Sequence, residues 1–351
     1  MIQPKQSAWL IKISTSLAGH CTGGLDSRVL AEEGDLHVLE SFLYRAAGAI
    51  GIMLSYFRLY RERGWHPISA EDYRAAWLRW GGSLATHPDV VERLSDLAGI
   101  AVRYLGCSEN GELQAAMPTW GRHIALAKDV LKQQKKRGVF DLGNAEIILP
   151  QAPDSVIAVQ HKAQYVSELH AQRISTLKEQ KEGLALAREP EQYSKKFRYN
   201  QRREQRLLEE QGGVIIPVDT LSAAEQAQIY TQLFEKRWGF AVPGKDYLAD
   251  VFSLMREFMT GSFINVNDVP VAFQVLYRVE APEWISLEYI NGGVDTDYNS
   301  LSPGSVLSFV NTQNEWQHAR DLAKPLRYSF GRADREYKDR WCNRVAVYEV
   351  S

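Results

Sequence analysis

Apolar positions recur at helical spacing over Ser69–Gly81 and over Asp89–Leu97. The second run opens behind His87-Pro88, where proline is tolerated at a helix start. The pattern then turns strand-like in Ile100–Cys107 and Glu112–Trp120, which flank Asn110-Gly111. That dipeptide predicts a tight hairpin, because both central residues take positive φ. The same order returns further on. Ser222-Ala-Ala-Glu225 fits a capping box opening a helix to Trp238, and Asp246 is expected to cap a helix to about Thr260. Gly261–Val266 and Val269–Val279 then flank Asn267-Asp268. The tripeptides Arg79-Trp80-Gly81 and Arg237-Trp238-Gly239 stand 158 residues apart (79 to 237), and the two turns 157 apart (110 to 267). A period this long points to a duplicated domain rather than a solenoid. Function is then expected in what the second half has and the first lacks.

Mixed strand and turn signals fill residues 1–35, and 36–63 read as a helix. Lys128–Arg137 predicts a short basic helix and Val139–Leu149 a strand. Pro150 and Pro153 mark the boundary expected between a first domain, 1–155, and a second, 156–351. Charged, glutamine-rich His161–Gln211 reads as two long helices broken near Pro190, and Val214–Val218 as a short strand. Strands are expected at Glu283–Gly292, Pro325–Phe330 and Arg344–Val350, with a helix from about Pro303. The layout is α+β, with helices on mostly antiparallel sheets.

At 351 residues the chain can build two cores, and 45% apolar with 24% charged residues is an ordinary globular composition. The net charge of −2 means that any anion-binding surface is a local patch. Cys21, Cys107 and Cys342 are odd in number and far apart, which argues against a disulfide framework and for a reducing compartment. Met1–Gly24 carries Lys12 inside its only apolar stretch and is not expected to be a signal peptide. The uncharged run Ala46–Phe57 is shorter than the roughly 20 residues that span a bilayer. For Phe42–Tyr60 a core helix and a helix lying in a membrane surface both stay open.

No CxxC, HExxH or GxSxG occurs, so neither a dedicated metal site nor a hydrolase triad is expected. Gly239–Lys245 matches a P-loop up to its lysine, but Asp246 replaces the Mg²⁺-binding hydroxyl, and the run reads as a helix-to-helix turn. A better candidate is Tyr298–Leu307, a turn between strand and helix. Ser302 suits the N-cap, Pro303 the first helical position, and Gly304 lets a ligand approach the backbone. Free amides at Ser302, Gly304 and Ser305, with the helix dipole, would cradle a pyrophosphate or an oxyanion. The run Lys195–Arg206 holds six basic residues against Glu204, so Arg198, Arg202, Arg203 and Arg206 are candidates for phosphate contacts. Phe197 and Tyr199 either stack on a base or pack on the core. In Arg327–Trp341 a strand and a glycine turn lead to Arg332, Asp334, Tyr337 and Lys338. There Lys338 would neutralise a developing oxyanion and Tyr337 relay a proton.

Basic helix with RRxxR, hairpin, strand, SPG turn, helix and FGR…YKxRW together resemble GNAT-fold acyltransferases of the branch typified by cellulose-biosynthesis acetyltransferases and Fem-type aminoacyl transferases, over about Lys195–Trp341. Nearly the whole chain is also similar to the macrophage-inducible antimicrobial-peptide-resistance family of Gram-negative bacteria. The resemblance implies two tandem GNAT-like domains, the first degenerate. It also implies an acyl carrier at Ser302–Ser305 and a functional lysine at Lys338. The usual Q/R-x-x-G-x-G/A pyrophosphate loop is replaced by Asn299–Gly304, which leaves acyl-CoA and aminoacyl-tRNA both open as cosubstrate, with no tightly bound cofactor. The expected activity is acyl or aminoacyl transfer to an envelope glycan or glycolipid such as lipopolysaccharide. The expected place is the cytoplasm, peripheral on the inner membrane, and tRNA is a candidate partner. The rival expectation is a non-catalytic regulator or scaffold that binds nucleic acid or anionic lipid through its basic helix.

Overall fold

In the computed structural model the described residues are Arg58 and 60–351. The signals over 1–35, most of the helix expected over 36–63, and nearly all of Phe42–Tyr60 lie outside them. The chain runs β1 (Trp65–Ile68), α1 (Ala70–Trp80), α2 (Pro88–Ala98), β2 (Arg103–Glu109), β3 (Glu112–Trp120), β4 (His123–Ile124) and α3 (Lys128–Gln133). Next come β5 (Ala163–Ser167), β6 (Lys178–Glu179), β7 (Leu184–Ala187) and α4 (Lys195–Glu210). The second half follows with β8 (Gly213–Pro217), α5 (Ala223–Trp238), α6 (Leu248–Leu254), β9 (Met259–Thr260), β10 (Ser262–Val266), β11 (Val269–Glu280) and β12 (Ile285–Val294). It closes with α7 (Pro303–Asp321), β13 (Leu326–Arg332), β14 (Cys342–Val345) and β15 (Val347–Val350). Among the described residues no helix is long and apolar enough to cross a membrane.

The repeat is carried down to single residues. Helix α1 opens on a capping box in which Ser69 Oγ accepts from Asp72 N and the Asp72 carboxylate accepts from Ser69 N. Helix α5 opens on the equivalent pair, Ser222 and Glu225. Both helices end on a glycine at positive φ, Gly81 and Gly239, whose N–H donates back four residues to Trp77 O and Glu235 O. Both hairpin turns take positive φ at their two central residues, Asn110-Gly111 and Asn267-Asp268. Each hairpin also slips register once, so that Gln114 bulges in β3 and Val271 in β11, again 157 residues apart (114 to 271). In both halves the first hairpin strand pairs antiparallel with the strand that precedes the two helices, β1 on β2 and β8 on β10.

The sheets run β1-β2-β3-β4, β14-β7-β13-β12-β11-β10-β8 with β9 on β11, and β5-β15-β6. Extended residues 147–151 bridge the first and third: Gln151 faces Ala115 antiparallel, and Ile147 faces Val166 in parallel. The C-terminus thus serves two sheets, β14 pairing with β7 and β15 returning to β5. Residues 60–351 form one compact unit with a shared core, in which Trp77, Leu94 and Trp120 join Tyr230, Phe252 and Phe273. Trp284 Nε1 donates to Gly82 O at 2.9 Å, and Arg327 Nε donates to Glu146 at 2.9 Å from one half to the other.

Four expectations give way. Residues 161–211 form three short strands and one helix rather than two helices, because Leu184 and Ala185 find partners in β13 and β14, far away in sequence. Val139–Leu149 is turn and isolated bridge, with Ile147 alone paired, to Val166 of β5. The last expected strand splits at Ala346 between two sheets. Asp246 caps nothing: Gly244 holds the N-cap position of a 3₁₀ turn over Lys245–Tyr247, and α6 starts at Leu248.

Candidate functional site

Strands β12 and β13 lie parallel and are paired from Ile285/Leu326 to Glu288/Ser329. Beyond that they part, although both continue, to Val294 and Arg332. A bulge sets the break. On β11, Val275 faces Asn291 but Leu276 faces Tyr289, which leaves Ile290 unpaired and bends β12. The gap is part of a cleft of about 410 Å³, within the range of small-molecule sites. Tyr289 and Phe330, one from each parted strand, meet edge-on at 5.0 Å in its lining. The pair Gly292-Gly293 makes the room. A Cβ at Gly292 would come within 2.7 Å of Tyr289 Oη, and one at Gly293 within 2.6 Å of the α5 backbone at Leu233 and Phe234.

The N-terminus of α7 forms another wall of the cleft. Ser302 occupies the N-cap position at φ 50°, but its side chain makes no capping bond. Its carbonyl instead accepts from both Ser305 N and Val306 N at 3.0 Å, while its own N–H donates to Asn299 O. Pro303 has no N–H. The cradle is therefore narrower than the sequence suggests: Gly304 N–H alone of this turn has no acceptor among the described residues. A Cβ at Gly304 would stand 3.0 Å from Val294 Cγ2, so glycine lets the helix end close on β12. Beneath it, Ser308 Oγ donates to Gly304 O and accepts from Gln274 Nε2.

Two arginines, Arg237 and Arg340, supply the charge of the lining, and no carboxylate lines it. Arg237 donates to Gly292 O at 3.0 Å and lies 4.7 Å over the Trp238 ring. Burial raises the Tyr289 hydroxyl, with Arg237 acting the other way. Burial, reinforced by Tyr289, pushes Tyr337 up to about 12. Both phenols are thus protonated near neutral pH and can donate to a developing negative charge.

The structure brings Ser302, Gly304, Ser305 and Tyr337 to this cleft. It keeps Lys338 out of the lining: Lys338 Nζ donates to Arg332 O at 2.6 Å and lies 3.4 Å from Asp334. Burial lowers that ammonium from its ordinary value, and Asp334 opposes the shift. Arg332 in turn pairs with Asp334 at 3.1 Å and Glu182 at 3.0 Å. Arg332, Asp334 and Lys338 together clamp the turn that carries Tyr337 and Arg340.

Helix α4 packs on α7 through Gln201, whose Oε1 accepts from Ser305 Oγ at 3.0 Å. Phe197 stacks on Tyr193 and meets Trp341 edge-on, so it packs on the core, while Tyr199 stays exposed. Lys195, Arg198, Tyr199, Arg202 and Arg206 line one open surface groove, and Arg203 lies off it. Arg202, Arg203 and Arg206 form no ion pair among the described residues. Sequence reasoning missed Tyr289, Arg340, Gln274 and Ser308. A double glycine inside a strand was the available signal, and Arg237 was seen only as a landmark of the repeat.

Comparison with curated protein sequences finds no match. Among solved structures the fold is similar to that of FemX, at 10% identity and a TM-score of 0.50, over 82% of this chain and 96% of that one. Two further similar structures are the C-terminal domain of a putative lysylphosphatidylglycerol synthetase from Agrobacterium fabrum and L-PGS from Bacillus licheniformis. The first is 12% identical, TM-score 0.43, over 80% of this chain and 90% of that one. The second is 11% identical, TM-score 0.43, over 81% and 91%. The architecture is α+β, with mostly antiparallel sheets flanked by helices, and it shares its fold with FemX. The model of the Mig-14 family matches residues 87–350, and the chain belongs to that family.

Proposed function

We propose that this protein transfers an acyl or aminoacyl group from a phosphate-bearing carrier to an amine or hydroxyl of an envelope glycolipid or glycan. The observation that carries the reading is the parted strand pair β12/β13, which opens a cleft at a helix N-terminus whose lining holds cationic charge only. Attack on an activated ester is favoured by holding the reactants together and by donors aimed at the charge that develops on the carbonyl oxygen. Gly304 N–H, Arg237 and Arg340 would bind the carrier's phosphates. Tyr289 or Tyr337 would donate to the oxyanion or the leaving group. Lys338, bonded to Arg332 O, positions Tyr337 rather than reaching the reacting atoms itself. The groove along α4 would extend the phosphate contacts, which suits aminoacyl-tRNA as well as acyl-CoA. An added group that masks negative charge on lipopolysaccharide would account for resistance to cationic peptides, with the protein working at the cytoplasmic face of the inner membrane.

The test is incubation of the purified chain with labelled acetyl-CoA, or with labelled aminoacyl-tRNA, plus extracted glycolipid. Label moving to the glycolipid supports transfer. Salt-sensitive binding of tRNA or anionic lipid without turnover would favour a non-catalytic scaffold, the reading that the unpaired arginines of α4 also allow.

A further inference from the structure

A second cavity lies against the other side of the β12 bulge. Tyr289 and Gly292 line the cleft already described, whereas Ile290 and Asn291 line this one. It measures about 180 Å³, and its lining is mainly apolar, with Phe140 from the first half and Phe234, Phe240, Val242 and Leu248 from the second. The halves touch here backbone to backbone: a Cβ at Gly244 would stand 1.6 Å from Gly138 O. The surrounding turn exposes unusually large apolar side chains. Phe240, in the lining, is 55% exposed, and Trp238 and Tyr247 are 46% and 45% exposed. Single exposed apolar residues are ordinary, but three within one ten-residue turn beside an apolar cavity form a patch.

Charge supplies the rest of the pattern. Arg137 precedes the lining residue Gly138, and Lys245 follows the lining residue Gly244. Both are exposed and, like Lys135 nearby, form no ion pair among the described residues. Asp246 opposes them on the same turn, and Asp141 in the lining is taken by Lys128 at 2.9 Å. The surplus at the mouth is therefore positive, while the walls are mainly apolar, with Tyr230, Tyr277 and Asn291 among them. An aliphatic chain would replace water against these walls, and an anionic head would stay at the rim.

We propose that this cavity is a binding site for the hydrocarbon chain of a singly anionic amphipath, with its headgroup held by Arg137 and Lys245. The site stands apart from the transfer reading, since binding here requires no chemistry in the cleft.

The test uses monomeric lysophosphatidylglycerol below its micellar concentration, with intrinsic tryptophan fluorescence and calorimetry as readouts. Two controls accompany it: lysophosphatidylcholine of equal chain length, and the chainless glycerophosphoglycerol headgroup. Saturable binding of the first is expected, at least about tenfold weaker binding of the second, and none of the third. Val242→Trp, which fills the cavity, should remove binding. Because that variant intrudes on the core, the exposed pair Arg137→Glu/Lys245→Glu is measured beside it and should erase the preference for the anionic lipid. Three results would overturn the proposal: chainless headgroup bound as well as the lysolipid, unchanged binding by a folded Val242→Trp, or binding to phosphatidylglycerol vesicles alone. A charge-reversed pair that keeps the anionic preference would overturn the assignment of the rim.

Discussion

The two halves begin alike and end differently. Each builds a strand, two helices and a hairpin, with a capping box and a positive-φ glycine at the ends of the first helix, the same turn conformation and a bulge at the same place. Each also has its tripeptide arginine stacked on the neighbouring tryptophan, Arg79 over Trp80 at 5.2 Å and Arg237 over Trp238 at 4.7 Å. After the hairpin they diverge. The first half continues through 147–151 into β5 by single bridges and has no helix between them. The second half inserts α7 between β12 and β13, and the parted strands with that helix make the cleft. The same arginine is consequently an exposed stacking residue in one half and a cleft-lining hydrogen-bond donor in the other. A shared scaffold does not imply a shared site; the inserted helix makes the difference.

The largest effect is expected where the halves are tied together. Arg327 on β13 pairs with Glu146, which is 1% exposed. Arg327→Ala would strand that carboxylate and should cost about 3–5 kcal/mol, read as a lowered denaturation midpoint with an unchanged slope. A cost below about 1 kcal/mol would mean that the seam does not depend on this pair.

The comparison itself is tested by matched substitutions. Arg237→Ala removes a charged donor from the cleft and should raise the KM for the donor about 10- to 100-fold, as expected for a loss of about 1.5–3 kcal/mol. Arg79→Ala, at the equivalent position, should leave KM alone and change stability by no more than about 0.5 kcal/mol. Equal effects would break the distinction drawn between the halves.

Much of the scaffold is legible in the sequence because it rests on local rules: the Ser222 capping box, Pro88 at a helix start, Asn-Gly and Asn-Asp at the turns, Pro303 opening α7. What stays hidden depends on distant partners. Leu184 and Ala185 look like part of a charged helix until β13 and β14 pair with them. The candidate site divides in the same way. Ser302, Gly304 and Tyr337 come from segments whose turn chemistry advertises them, and they do reach the cleft. Lys338 is adjacent to Tyr337 in sequence, but its ammonium turns to the carbonyl of Arg332, a direction that spacing alone does not reveal. Tyr289 and Arg340 are brought in by the splay of two strands, at which the pair Gly292-Gly293 hints locally, and by a turn.

A smaller effect separates the faces of α4. Arg202→Glu with Arg206→Glu should weaken binding of a nucleic-acid or other polyanionic donor and reduce its log–log salt slope by about 2. Arg203→Glu, off the groove, should do distinctly less. Identical slopes for the two proteins would remove the groove from the site.

The smallest effect concerns Glu288, at the point where β12 and β13 separate. Burial, reinforced by Glu146, pushes its carboxyl well above the usual range, so the folded chain keeps a proton that the unfolded chain releases near pH 4.5. The folded state then binds more protons, and stability falls as pH rises from there toward the folded-state value. Glu288→Gln should flatten that decline in denaturation series across pH. An unchanged slope would assign the pH dependence to other groups.

The most direct test is the transfer rate from labelled donor to glycolipid in wild type and in Gly304→Val, with thermal midpoints measured alongside. The added side chain would crowd the helix end beside Val294 and cover the free amide. The expected result is a folded protein whose transfer rate drops on the order of 10²-fold or more. A folded Gly304→Val protein that transfers at the wild-type rate would contradict the placement of the donor in the cleft of the second half.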